Sequence, residues 1–355
     1  VLFRSQYSFN SYGVYSNLNH SSISEQLSLY IEDKAKNLYA RYVAIDIAES
    51  CRLESVYSLL VKIALDKEQP YPIRMRVANV IARIGSKANK IELKPLTSDP
   101  GDDPDNYLKG YALKSVYPDH ITTQEVLKCL TQPRSNIIGG SYQDFIAKEF
   151  GQKLPESDIA IALNWLKGQP TRRSLRYPFG EFSDAVIIKA WENLESSVIL
   201  HEFSQVVSIR VRHYDQVIDS YRDNPFVQML KEDVSKRRIL LEAVISSIGD
   251  SEKEPFWLSG RSQYSVLYPL KEDFEWLIYQ SKNASSNLEK NIYAKLVRWQ
   301  LDWKGVHQIS FLLTNIHSNP ALKAEFSSEL EPIVLDSHRA KQAKSKYEEI
   351  QQMLS

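Results

Sequence analysis

Three segments of the chain repeat one pattern. They are Tyr42-Val43-Ala44-Ile45-Asp46-Ile47-Ala48, Arg76-Val77-Ala78-Asn79-Val80-Ile81-Ala82 and Gly110-Tyr111-Ala112-Leu113-Lys114-Ser115-Val116. Each sets a small alanine among aliphatic residues at helical spacing. Ala44, Ala78 and Ala112 stand 34 residues apart, and Phe145-Ile146-Ala147 falls close to the next register. A basic residue precedes each alanine by two or three positions: Arg41, Arg76 and Lys109. Each segment is followed by a break and a second apolar helix. A helix pair recurring at a fixed period, with a small residue where its neighbour must approach, predicts stacked antiparallel pairs. The expected fold class is all-α: an α-solenoid of HEAT-like antiparallel helix pairs, less regular in the C-terminal half. The spacing is that of tetratricopeptide repeats, but their Trp/Leu-Gly/Tyr pattern is absent. The competing reading is a non-repetitive helical domain in which alanine recurs by chance.

Helical periodicity extends outward from these segments. Helices are expected over 24–31, 39–48 (with Tyr39, Val43 and Ile47 as its stripe), 53–65 and 73–84, the last closed by Gly85. Others are expected over 106–116, around Val126 and Leu127 after a Thr122 or Thr123 cap, over 142–150 ending at Gly151, and over 155–165. A basic loop from Gly168 to Gly180 follows. Longer helices are expected over 184–194, 201–222 and 227–248, then over 271–280, 288–303, 306–316, 321–330 and about 332–354. Tyr264–Tyr268 is the best short strand candidate. The expected organisation is an array over 6–170, a longer-helix region over 171–260 and a C-terminal helical region over 261–355. Residues 1–5, Val-Leu-Phe-Arg-Ser, spell one reading frame of a sequencing adapter (GTGCTCTTCCGATCT). We read them as an assembly scar on a metagenomic fragment of a longer protein.

Composition narrows the function. Twelve glycines in 355 residues is about half the usual share of roughly 7%, which disfavours glycine-rich α/β and all-β folds. Lys+Arg and Asp+Glu are equal at 44 each, which disfavours a general nucleic-acid or membrane-surface binder. Two cysteines, Cys51 and Cys129, fit a reducing cytoplasm and a structural role. No apolar run reaches about 18 residues, so no membrane span is expected.

No catalytic motif is present. There is no G-x-x-x-x-G-K-[ST], and His201-Glu202 lacks the second histidine of a zinc helix. No cofactor is expected in this segment, and no histidine has a partner at ligand spacing. Three basic groups are candidate phosphate or partner contacts: Arg172 and Arg173 in the loop, Arg210 and Arg212 on one helix, and Lys236, Arg237 and Arg238 on the next. The bland reading is a solvated face paired with Asp215, Asp219, Glu232 and Asp233, and the neutral net charge favours it. Trp257, in a loop, is a candidate exposed anchor. Trp165, Trp191, Trp276, Trp299 and Trp303 sit at helical spacing and are expected in the core.

The stretch Leu108-Lys109-Gly110-Tyr111-Ala112-Leu113 continues through Pro118-Asp119-His120-Ile121, Leu130-Thr131-Gln132-Pro133 and Gly140-Ser141-Tyr142. It resembles a segment of the helical region that follows the NTPase module in large bacterial NACHT-type STAND proteins. There the pattern runs lys-gly-x-ala-leu, pro-asp-his-(leu/ile), leu-thr-x-pro, gly-x-tyr. The resemblance covers roughly residues 40–165. It departs at Gly139-Gly140-Ser141, where an aromatic before the glycine is usual. It implies a nucleotide-driven switch protein, often in antiphage defence, whose helical array senses a protein or other ligand. The NTPase module would act in cis from upstream, and no catalytic residue carries over. Two further expectations stand beside it. One is a standalone HEAT-like interaction scaffold. The other, ranked lower, is a DNA-binding enzyme of the HEAT-like glycosylase type, which needs the basic residues on one concave face with Asp and Trp nearby.

The repeat register makes a prediction. Ala78→Asp buries an unpaired charge between helices and should cost about 3 kcal/mol or more, read as a lowered unfolding midpoint in urea. An unchanged midpoint would mean that the register is wrong.

Overall fold

The computed structural model describes residues 15–134, 139–169, 171–213, 215, 217–218, 225–248, 271–330, 341–342 and 345. Every regular element among them is helical. The expected strand at 264–268 lies outside the described residues, as do residues 1–5 and most of the expected helix over 332–354.

Local chemistry sets the helix starts. Helix α1 is Ile23–Glu32 and α2 is Leu38–Ser50, where the Asn37 side chain accepts from Tyr39 N at 2.7 Å. Helix α3 (Glu54–Leu65) leads to α4 (Tyr71–Ile84), whose first turn holds Pro72. Helix α5 is Lys87–Glu92. Helix α6 (Tyr107–Val116) begins over the buried carboxylate of Asp103, which accepts from Leu108 N at 3.1 Å and Lys109 N at 3.0 Å. Helix α7 (Thr123–Cys129) carries a capping box between Thr122 and Glu125.

Helix α8 (Ser141–Asp144) runs through a π-helical segment, Phe145–Phe150, into α9 (Gly151–Lys153). Then come α10 (Ile159–Lys167), α11 (Phe179–Glu192), α12 (Ser197–Arg212), α13 (Pro225–Glu232) and α14 (Val234–Ser246). The last are α15 (Phe274–Asn283), α16 (Asn287–Gln300), α17 (Val306–Ile316), α18 (Pro320–Glu325) and α19 (Ser327–Leu330).

Several boundaries differ from the sequence reading. The helix expected over 227–248 breaks at Asp233, whose side chain accepts from Lys236 N at 2.9 Å and starts α14 afresh. Gly85 is extended (φ −61°, ψ 149°), so it ends α4 without a left-handed turn. Gly151 does not end its helix. A Cβ there would fall 2.6 Å from the Ala185 Cβ, so glycine serves the approach of α11.

The chain divides into two compact units, residues 1–226 and 227–355, a division inside the region expected over 171–260. In the first unit α1 packs on α2 and α3, and α2 and α3 both pack on α4. Helix α4 packs on α6, α6 on α8, and the π segment on α11. Helix α10 packs on α7, α11 and α12. Ala44, Ala78 and Ala112 are all buried, at 4, 0 and 0% exposure. The stripe expected on α2 is displaced. Tyr39 is 68% exposed and Val43 and Ile47 are half-buried, while Ala44, Ile45 and Ala48 face the core. Alanine wins that face because it lets a neighbouring helix close in, which larger side chains prevent.

Buried cations tie this unit together at the ends of its helices. Arg41 donates to Ile31 O at 3.0 and 2.8 Å, in the last turn of α1, and to Gln69 Oε1 at 2.8 Å. Arg74 repeats the arrangement, with Ala64 O of α3 at 3.0 Å and Pro100 O at 2.8 Å. Lys109 donates to Cys129 O at the end of α7 and to Thr131 Oγ1 at 3.2 Å. The residue equivalent to Arg41 is thus Arg74, not the Arg76 of the sequence pattern. Arg76 instead pairs with Asp46 at 2.7 Å and Glu49 at 3.1 Å across to α2.

The π segment has a packing reason. With hydrogen bonds five residues apart, residue i+5 comes round towards the face of residue i. Phe145 and Phe150 stack at 5.5 Å, and Phe150 stacks on Phe182 of α11 at 4.5 Å. Of the tryptophans expected in the core, Trp191 is buried and Trp165, Trp276 and Trp299 are half-buried. Trp303 is 57% exposed, because it lies in the turn before α17 and not on a helix.

In the second unit α15 packs on α16, α17 and α18, and α16 packs on α14 and α18.

The closest helix approach gives a prediction. A Cβ on Gly110 would overlap the backbone of Ser141 and Tyr142. Gly110→Ala should cost at least about 2–3 kcal/mol in urea unfolding through overpacking. Gly168→Ala, whose Cβ would lie 3.6 Å from the nearest atom, should change stability by under about 0.5 kcal/mol.

Candidate functional site

The basic residues singled out in the sequence fall in two places. Arg172 lies in a 3-10 turn, Arg172–Ser174, before α11. Its guanidinium forks onto Asp184 of α11, with Nε–Oδ1 at 2.8 Å and Nη2–Oδ2 at 2.7 Å. The fork lies against Gly180, where a Cβ would stand 2.7 Å from Nη1. Arg210 of α12 is 3% exposed and donates to Ser183 Oγ at 2.7 Å and to Val217 O. Adjacent residues of α11 therefore collect two arginines from either side. Burial pulls the Arg210 guanidinium down to about 10, opposed by nearby Asp184, so it stays charged at neutral pH. Arg173 shares the turn of Arg172, and Arg212 is exposed at the end of α12.

Arg237 and Arg238 of α14 meet on one carboxylate in the second unit. Asp273, 2% exposed, accepts from Arg237 Nε and Nη2 at 3.1 and 2.9 Å on one oxygen and from Arg238 Nε at 2.9 Å on the other. Arg237 also donates to Leu230 O at 2.6 Å, in the last turn of α13. The Arg238 guanidinium lies 5.2 Å from the Trp276 ring centroid. Lys236 is half-buried, and Trp257 lies outside the described residues.

For Arg172, Arg237 and Arg238 these partners lie farther along the chain than the acids expected from charge spacing. Asp233 caps α14, and the arginines turn inward to Asp184, Asp273 and backbone carbonyls. A phosphate at Arg172, Arg210 or Arg237 would have to displace acceptors that the fold already supplies. An Asp and a Trp do stand beside Arg237 and Arg238, as the glycosylase-type reading asks. That Asp is buried, and both its oxygens are bonded, so it is not placed to act on a substrate.

Sequence spacing missed two further features. One is the ion network on the faces of α2 and α4, where Arg83 joins Arg76 on Glu49 at 3.0 Å. Burial pushes the Asp46 and Glu49 carboxyls up, opposed by Arg76. The other is an open cleft of about 280 Å³ between α15 and α17, lined by Ile278, Tyr279, Lys282, Phe311, Asn315 and Asn319 among others. Its polar groups largely bond back to the fold: Asn319 Nδ2 to Ser281 Oγ at 2.7 Å, Lys282 Nζ to Ser318 Oγ at 3.2 Å. Neither could be found without knowing which helices are neighbours. Cys51 and Cys129 are free and half-buried. Among the described residues no group of three or more His, Cys, Asp or Glu side chains is placed to hold a metal, and no helix is long and apolar enough to cross a membrane.

No protein-family model, curated protein or solved structure matches this chain.

The Asp273 centre can be tested directly. Asp273→Ala leaves Arg237 buried without its carboxylate and should cost about 3–5 kcal/mol in urea unfolding of the second unit. Arg238→Ala, which removes a partly exposed partner, should cost less than half as much.

Proposed function

We propose that this chain is a non-catalytic interaction module: an α-solenoid of HEAT-like antiparallel helix pairs, serving as the sensor or regulatory array of a bacterial NACHT-type STAND NTPase. One observation carries the reading. Buried cations on the alanine-bearing helices α2, α4 and α6 bond helix-end carbonyls at intervals close to the 34-residue alanine period: Arg41 and Arg74 reach the helix before their own, and Lys109 the helix after it. The packing of α2 on α4 and α4 on α6, beside that of α1 on α3, suits an array in which each pair rests on the next. Function then lies in a surface and not in a reactive centre.

The link to a STAND NTPase rests on the resemblance of residues 108–142 to that family's helical region. In such a protein the array would restrain a nucleotide-driven switch in the cytoplasm until a ligand bound, as in antiphage defence. The fold commits Arg172, Arg210 and Arg237 to internal partners, which weighs against the nucleic-acid enzyme.

The contiguous coding DNA upstream is the test. An open reading frame that continues through a G-x-x-x-x-G-K-[ST] loop and a Walker B acid is the expected result. A start codon near residue 1 with no such module upstream would overturn the NTPase link and leave a standalone scaffold.

A further inference from the structure

In the cleft between α15 and α17 the amide donors are spent on the fold and the acceptors are left over. Asn283 Nδ2 donates to Tyr279 O at 2.9 Å, and Asn315 Nδ2 donates to Phe311 O at 2.8 Å. A backbone carbonyl can only accept, so these bonds fix which end of each amide is the nitrogen. Asn283 Oδ1 and Asn315 Oδ1 accept no hydrogen bond among the described residues. Glu275, one turn before Tyr279, is exposed, and its carboxylate has no ion pair or hydrogen bond among the described residues. Two rings stand on the cleft, Tyr279 at 63% exposure and the half-buried Phe311, with buried Ile278 beside them. The lining also holds Lys282, whose Nζ is engaged by Ser318 Oγ at 3.2 Å. Seven residues separate Lys282 from Glu275, about 10 Å along α15, so the two charges sit at opposite ends.

We infer that this cleft binds an organic cation, an alkylammonium or a guanidinium, at its Glu275–Tyr279 end. Positions i and i+4 of a helix are neighbours, so the carboxylate and the tyrosine ring can meet one ligand together. Ring faces carry negative potential and attract cations, and amide oxygens accept from N–H donors. Carboxylate, amide oxygens and rings therefore select the same sign of charge. An anion would meet Glu275 and two amide oxygens, with the cation of Lys282 already bonded elsewhere. An apolar ligand would cover those oxygens without bonding them. The cation can come from a free amine or from a Lys or Arg side chain of a partner protein. This inference concerns the second unit alone and does not rest on the NTPase link.

Amide NMR of the full chain tests it, with N-acetyl-arginine methylamide as the probe and the citrulline analogue as its uncharged isostere. The arginine probe should shift amides of α15 and α17 saturably, with a Kd of about 1–10 mM, and the citrulline analogue should bind at least about tenfold more weakly. Glu275→Gln and Tyr279→Ala, both at exposed positions, should each weaken the arginine probe about threefold or more. Glu68→Gln makes the same charge change at an exposed position of the first unit and should leave binding unchanged. n-Butylamine binding as tightly as the arginine probe would assign the site to small amines. A short arginine-containing peptide binding about tenfold tighter than the capped residue would assign it to a protein partner. Equal binding of the arginine and citrulline probes, or no saturable shift up to about 50 mM, would overturn the inference on the wild-type chain alone, whether or not the variants fold. So would binding that survives in the folded Glu275→Gln, Tyr279→Ala double variant.

Discussion

A buried cation at the end of a helix is the interaction on which this structure turns. The last carbonyls of a helix have no partner within it and carry the negative end of its dipole. Arg41, Arg74 and Lys109 answer this need at α1, α3 and α7, and Arg237 does so at α13. Each donor is bidentate or bridging, so one side chain ties a helix end to a carbonyl, side chain or loop elsewhere. Arg41 reaches on to Gln69 and Arg74 to Pro100, both in the loop beyond the next helix. Burial draws the Arg41, Arg74 and Lys109 cations below their ordinary ranges, opposed at Arg41 by Asp33 and at Arg74 by Asp103.

Once the ends are tied, small residues decide how closely the helices lie. Ala44, Ala78 and Ala112 occupy the helix-facing positions, and at Gly110 the backbone of α8 comes so near that only a hydrogen fits. Ser141 Oγ then donates to Tyr107 O at 2.7 Å, joining two backbones through one hydroxyl. Where α11 joins, Gly151 admits Ala185, and beside it bulk is needed as well. The π segment gathers Phe145 and Phe150 into a ring stack with Phe182, and bulk fills the space.

The basic residues show how one sequence signal can have two meanings. A run such as Lys236-Arg237-Arg238 has the composition of an anion contact, yet Asp273 takes two of its three side chains inside the fold. Nothing near Arg237 in sequence announces that acid, which is 36 residues away. The same holds for Arg172 and Arg210, whose shared elements Ser183 and Asp184 lie on a helix between them. Charge spacing pointed to local partners, and tertiary contact supplied distant ones.

The sequence by itself determined the helical class, because a 3.6-residue apolar period and caps such as Thr122 are local signals that each helix satisfies within its own length, and the scarcity of glycine agrees with them. It also placed the three buried alanines and α17 from Val306 to Ile316. Only the tertiary structure decided which basic residue of each pair is the helix-end tie, why Gly110 and Gly151 are glycines, and where the 145–150 helix widens. Those choices depend on atoms brought together from different helices: Arg74 was preferred over Arg76 because its reach ends on Ala64 O and Pro100 O. A periodicity records which face is apolar. It does not record the distance to the neighbour that will cover it, and at these positions the distance was the deciding quantity.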